Sequence, residues 1–83
     1  MNKKVIWITG GSTGIGKALA IKFANKGWNV AISARRENLL KEIESKYQNI
    51  RSFPLDVNDL EKCRSVSKEI KDEFGDIDIC FFS

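Results

Sequence analysis

The sequence predicts an α/β fold: a parallel sheet in three layers, with helices on both faces. Three observations carry this. Short apolar, β-branched runs alternate with segments of helical periodicity along all 83 residues. The first run, Val5-Ile6-Trp7-Ile8, is apolar throughout, which suits a strand covered on both faces. A glycine-rich stretch then joins it directly to the first helical segment.

The elements follow in order. The first strand stops at Thr9-Gly10-Gly11. A helix over Gly14 to Lys26 places Ile15, Leu19 and Phe23 at i, i+4 and i+8, with Ala20 and Ala24 beside them. Gly27 stands where a helix C-terminal glycine belongs. Trp28 to Ala34 is the second strand, with Val30-Ala31-Ile32 its most strand-like part. The second helix, Arg36 to Tyr47, carries Leu39, Ile43 and Tyr47 on one stripe. Ile50 to Leu55 is the third strand, and Pro54 near its end fits an edge, because proline cannot donate to a ladder. Asn58 followed by Glu61 resembles a capping pair. Leu60, Cys63, Val66, Ile70 and Phe74 mark the apolar face of a third helix that ends at Gly75. Ile77 to Phe82 is the fourth strand.

Strands separated by helices require crossovers, so β-α-β-α-β-α-β implies a parallel sheet. Right-handed crossovers then predict strand order 3-2-1-4, with the first two helices on one face and the third on the other. The fourth strand falls at an edge. A long apolar edge is normally covered, so residues 1–83 are expected to be the first half of a larger domain. A small domain that covers this edge by self-association is the other expectation.

Composition narrows the chemistry. The net charge is +3, which suits a phosphate-bearing ligand and is too small and scattered to argue for nucleic acid. There is no histidine, which excludes Ser-His-Asp, Cys-His and zinc–histidine chemistry within these residues. Cys63 and Cys80 have no metal-ligand spacing and read as reduced core thiols. No apolar stretch approaches the roughly 20 residues of a membrane helix. Met1-Asn2-Lys3-Lys4 does not resemble a signal peptide, so the expected location is cytoplasmic.

The loop Thr9-Gly10-Gly11-Ser12-Thr13-Gly14-Ile15-Gly16 is the chemical centre of the sequence. Its glycines permit a tight turn and close approach of backbone to a phosphate, and the following helix presents free N–H groups. Gly11 to Lys17 satisfies the GxxxxGK part of a nucleoside-triphosphate loop. That reading also needs a Ser or Thr next, to hold magnesium, and the residue is Ala18.

The spacing instead resembles the TGxxxGxG motif of the short-chain dehydrogenase/reductase family, matched at every fixed position from Thr9 to Gly16. Leu55-Asp56-Val57 resembles a second motif of that family, and Asp76 to Ser83 resembles the stretch leading into its NNAG motif. Phe82-Ser83 stands where the two asparagines would be, so neither amide is present. The resemblance covers essentially the whole chain. It implies the N-terminal NAD(P)-binding half of a three-layer Rossmann-type domain. Gly10, Gly14 and Gly16 would shape the loop under a pyrophosphate. Ser12, Thr13 and Ile15 would line the same pocket. Asp56 would accept from the adenine amino group, with Val57 beside it. A turn or capping aspartate is the plainer reading of Asp56.

Charge bears on which dinucleotide is bound. An NAD site places an acid at the end of the second strand, to bind the ribose 2′-OH. Here the strand ends Ser33-Ala34-Arg35-Arg36, with no acid before Glu37. Arginine can hold a 2′-phosphate, so NADP (NADPH) is expected over NAD, with Arg35 and Arg36 at the site. Lys17 could add a second charge; for Arg36 and Lys17 a solvated surface role is the alternative.

Catalysis in the family uses a Ser and a Tyr-x-x-x-Lys. The only tyrosine, Tyr47, has Arg51 at the fourth place and lies on a helical stripe, so no catalytic residue is expected here. The resemblance implies an NADP-dependent oxidoreductase acting on a small carbonyl or alcohol substrate in the complete enzyme, which would be a homo-oligomer. The alternative is a non-catalytic nucleotide-binding or regulatory module, or the product of a decayed gene.

Overall fold

The computed structural model describes residues 3–12 and 14–82. Seven elements alternate: β1 (Val5–Thr9), α1 (Gly14–Asn25), β2 (Asn29–Ser33), α2 (Glu37–Lys46), β3 (Ile50–Ser52), α3 (Leu60–Phe74) and β4 (Ile79–Phe82). The strands form one parallel sheet in the order β3-β2-β1-β4, as expected. Trp7 stands between Ala31 of β2 and Cys80 of β4, so β1 is interior while β3 and β4 are edges.

Strand alternation divides the core in two. Ile6, Ile8, Val30, Ile32 and Ile50 face α1 and α2, meeting Ala20, Ala24, Leu40 and Ile43. Val5, Trp7 and Ala31 face α3, meeting Val66 and Ile70. The first two helices therefore share one face and the third takes the other.

Several details differ from expectation, each for a physical reason. In α1 the stripe Ile15-Leu19-Phe23 is not the buried face: Gly16, Ala20 and Ala24 are, while Ile15 is 74% exposed. Small residues let this helix lie close against β1 and β2. Leu19 and Phe23 flank it, and Phe23 meets Trp28 edge-on at 4.8 Å. In α2 the buried pair is Leu40 and Ile43 rather than Leu39 and Ile43. Leu60, the first residue of α3, is exposed. The cap of α3 is Asp59, whose Oδ1 accepts the Lys62 N–H at 3.0 Å, and not the Asn58/Glu61 pair. The Asn58 N–H is already committed to Asp56 Oδ1 at 3.0 Å, which moves the cap one residue on. Both cysteines are free; Cys63 is half-buried against the second core, but Cys80, on the edge strand, is exposed and is not a core thiol.

The third strand is shorter than expected, but its backbone continues along β2. Phe53 N–H donates to the Ile32 carbonyl and Leu55 N–H to that of Ala34, at 2.8 and 3.0 Å. Pro54 falls between them, at the position whose nitrogen points away from β2, which is where a ladder tolerates proline. This extension carries the chain to Asp56 beside the end of β2. The fourth strand begins at Ile79, two residues later than expected. Ahead of it, Asp78 clamps the start of β1: its Oδ2 accepts the Val5 N–H at 2.8 Å and its own N–H donates to the Val5 carbonyl at 2.9 Å. Among the described residues no helix is long and apolar enough to cross a membrane.

Glu44 ties α2 to β3. Burial would raise its carboxyl pKa, but the Ser52 hydroxyl, the Lys41 charge and the Ser52 N–H together outweigh burial and hold it below its usual value of 4.5. A depressed folded pKa adds stability above the unfolded value, and that stability is lost as pH falls through the folded one. Acid unfolding of Glu44→Gln is therefore expected to lose about 1 kcal/mol of pH dependence below pH ~4.5. Identical acid limbs for the variant and the unaltered protein would remove Glu44 from this role.

Candidate functional site

The parallel sheet directs the C-terminal ends of β1, β2 and β3 to one side, where ligands of such folds gather. There β1 runs into the turn 10–12, and α1 starts at Gly14. The turn is held to β2: the Ser33 carbonyl accepts the Gly10 N–H at 2.7 Å and the Gly11 N–H at 3.3 Å. Gly10 has φ +76° and Gly14 has φ +59°, backbone positions that glycine takes without strain. At Gly16 the requirement is space. A Cβ there would lie 2.2 Å from the Gly10 carbonyl oxygen, so α1 sits directly against the turn. No acid occupies the first turn of α1, leaving the positive end of the helix uncompensated beside the loop.

A cleft of about 230 Å³ opens between these strand ends, lined by Thr9, Gly10, Ser33, Ala34, Arg35, Leu55, Asp56, Val57 and Asn58. Of the residues predicted from sequence, it brings together Gly10, Arg35, Asp56 and Val57. Ser12, Gly14, Ile15 and Gly16 do not line it: they form the adjoining turn and the first turn of α1. Ile15 projects into solvent. Arg36, also outside the lining, is the exposed N-cap residue of α2. Lys17 is exposed on α1. Thr13 lies outside the described residues, as does Ser83.

Asp56 has a structural role. Its Oδ1 accepts the Asn58 N–H and its carbonyl accepts the Asp59 N–H at 2.9 Å, so it builds the turn into α3. Its Oδ2 has no hydrogen bond among the described residues, and Asp56 lines the cleft.

The cleft also includes residues that the sequence reading passed over: Thr9, Ser33, Ala34, Leu55 and Asn58. Thr9 stood inside the glycine motif, and Ala34 stood next to the arginines. Ser33 carried no local signal. A second, apolar cavity of about 470 Å³ adjoins on the α3 side, where Trp7, Leu55, Val57, Leu60, Cys63 and Phe82 meet. It contains none of the loop glycines, whereas Gly10 lines the first cleft.

The profile of a known family, described as short chain dehydrogenase, matches residues 4–82. The chain is 37% identical over 82 residues to a probable 2,4-dienoyl-CoA reductase of Bacillus subtilis, covering 94% of this chain and 32% of that protein. It is 39% identical over 85 residues to an NADP-dependent 3-hydroxy acid dehydrogenase of Schizosaccharomyces pombe, covering 95% of this chain and 33% of that protein. A crystal structure of a short chain dehydrogenase from Bacillus anthracis superposes with a TM-score of 0.87 at 34% identity, over 93% of this chain and 34% of that one. The chain spans about a third of the length of these curated relatives.

Proposed function

Because the chain belongs to the short chain dehydrogenase family, we propose that it is the NADP(H)-binding portion of an oxidoreductase that moves a hydride between NADPH and a carbonyl or alcohol substrate in the complete enzyme. The observation that carries the choice of cofactor is the rim of the cleft. Arg35 stands there two residues after β2, and the lining contributed by the end of β2 contains no acid.

The residues present fit a dinucleotide. Ser12 and the start of α1 offer N–H groups and the positive helix end to a pyrophosphate, while the Gly10 and Gly11 N–H groups hold the turn to Ser33. A Cβ at Gly14 would meet nothing within 4 Å, so the loop is open on that side. Asp56 Oδ2 would accept from the adenine amino group, with Val57 against the ring. Arg35 would pair with the 2′-phosphate, with Arg36 and Lys17 adding positive charge nearby. When bound, the nicotinamide supplies or takes the hydride, and the residues described here hold and orient the adenosine end. The similarity to the fission-yeast NADP-dependent 3-hydroxy acid dehydrogenase supports the same choice.

Arg35→Ala tests this reading. A charge-assisted contact to a phosphate contributes about 1.5–3 kcal/mol. Because Arg35 is exposed, solvent screening favours the lower end, which is roughly a tenfold loss of NADPH affinity. NADH, which lacks the phosphate, is expected to bind as before. Titration of both cofactors decides: equal losses make Arg35 structural, and no loss returns it to the solvated surface.

A further inference from the structure

We propose that Trp7 and Ser33 are a positioning pair that fixes the end of β2 and, through it, the preference for a 2′-phosphorylated dinucleotide; this rests on the NADP(H) reading above. The Trp7 indole Nε1–H donates to Ser33 Oγ at 2.9 Å, from β1 to β2 beneath the cleft floor. Both residues are buried, at 6% and 1% exposure. A buried indole N–H left without an acceptor is costly, so the bond holds the Ser33 side chain in place.

Ser33 is where the cleft is assembled. Its carbonyl accepts the Gly10 and Gly11 N–H groups on the loop side. The carbonyl of the next residue, Ala34, accepts the Leu55 N–H on the β3 side. Arg35 follows and is exposed, with no ion pair among the described residues. Its reach is therefore set by where the backbone of Ser33 and Ala34 delivers it. Trp7 supplies the third tether on that delivery point, from the α3 side of the sheet. An apolar residue at position 33 would keep the strand; the hydroxyl adds the hook for Trp7. Trp7 is also next to the ligand region, because the cavity it lines shares Thr9, Leu55 and Val57 with the cleft.

The test compares NADPH and NADH affinities of the full protein with those of Trp7→Phe, Ser33→Ala and the double variant. Each single variant is expected to lose roughly three- to tenfold of the NADPH-over-NADH preference, with the double variant losing no more than either single one. A merely structural pair would lower the melting temperature and leave the preference unmoved; that result, or equal losses for both cofactors, overturns the proposal. Should the variants fail to fold, the Trp7 indole N–H resonance of the unaltered protein decides. It is expected to shift when 2′,5′-ADP binds and to stay in place with 5′-AMP. A resonance unmoved by bound 2′,5′-ADP overturns the pair while leaving the NADP(H) reading intact. If neither NADPH nor 2′,5′-ADP binds the unaltered protein, that reading falls and the proposal falls with it.

Discussion

Gly16→Val is expected to remove binding of NADPH and NADH together, by more than roughly a hundredfold, or about 2.7 kcal/mol. The argument is geometric. The Cβ alone would lie 2.2 Å from the Gly10 carbonyl oxygen and 2.9 Å from its carbon. Those are backbone atoms, so no rotamer change relieves the clash. Either α1 retreats from the turn or the turn leaves the Ser33 carbonyl that holds it. Both outcomes displace the loop from the helix end to which the proposed function assigns the pyrophosphate. Overpacking of this kind also costs roughly 1–3 kcal/mol of stability, so the melting temperature should fall as well. Cofactor titration of the folded variant is the check, and undiminished binding would place the pyrophosphate elsewhere. Gly14 gives a contrast: there a Cβ enters open space, and the cost of a side chain is the backbone strain of φ +59°.

The second large effect runs in opposite directions for the two cofactors. Ala34→Asp combined with Arg35→Ala is expected to turn a preference for NADPH into one for NADH. Ala34 lines the cleft immediately after β2, so a carboxylate there would meet the ribose. Against NADPH the variant loses the arginine contact, roughly tenfold, and gains repulsion from the 2′-phosphate, roughly tenfold more. Toward NADH the new acid offers the 2′-OH a charged acceptor, again roughly tenfold. The ratio of the two dissociation constants should therefore move by about a thousandfold. Parallel losses for both cofactors would show that this corner of the cleft is not where the dinucleotides differ.

Much of this arrangement was legible in the sequence because it depends on local pattern. Apolar runs, glycine ends and helical spacing gave the elements, and right-handed crossovers gave β3-β2-β1-β4 without any knowledge of contacts. Gly10, Arg35, Asp56 and Val57 could be placed together because all follow strand ends that a parallel sheet aligns. What the sequence hid was set by distance between elements. Spacing favours large apolar residues, so Ile15 looked buried, whereas close helix–sheet approach selects Gly16, Ala20 and Ala24. The cap of α3 moved from Asn58 to Asp59 because Asp56 had already claimed the Asn58 N–H. The bond from Trp7 to Ser33 joins residues 26 apart and leaves no periodic trace.

The strand order also fixes when the sheet closes during folding. The Trp7–Ser33 bond spans 26 residues, whereas the Val5–Asp78 clamp spans 73. Closing the longer loop from an open chain costs about 1 kcal/mol more. Once β1, β2 and β3 have assembled, their own packing shortens the path that α3 must bridge, and that penalty shrinks. The chain between Val5 and Asn58 is thus positioned to gather first, with β4 arriving later on a surface already built. The cleft floor belongs wholly to the early part, since every residue from Thr9 to Asn58 that lines it precedes α3. A growing chain would therefore have this corner of the cleft in place before β4 was attached.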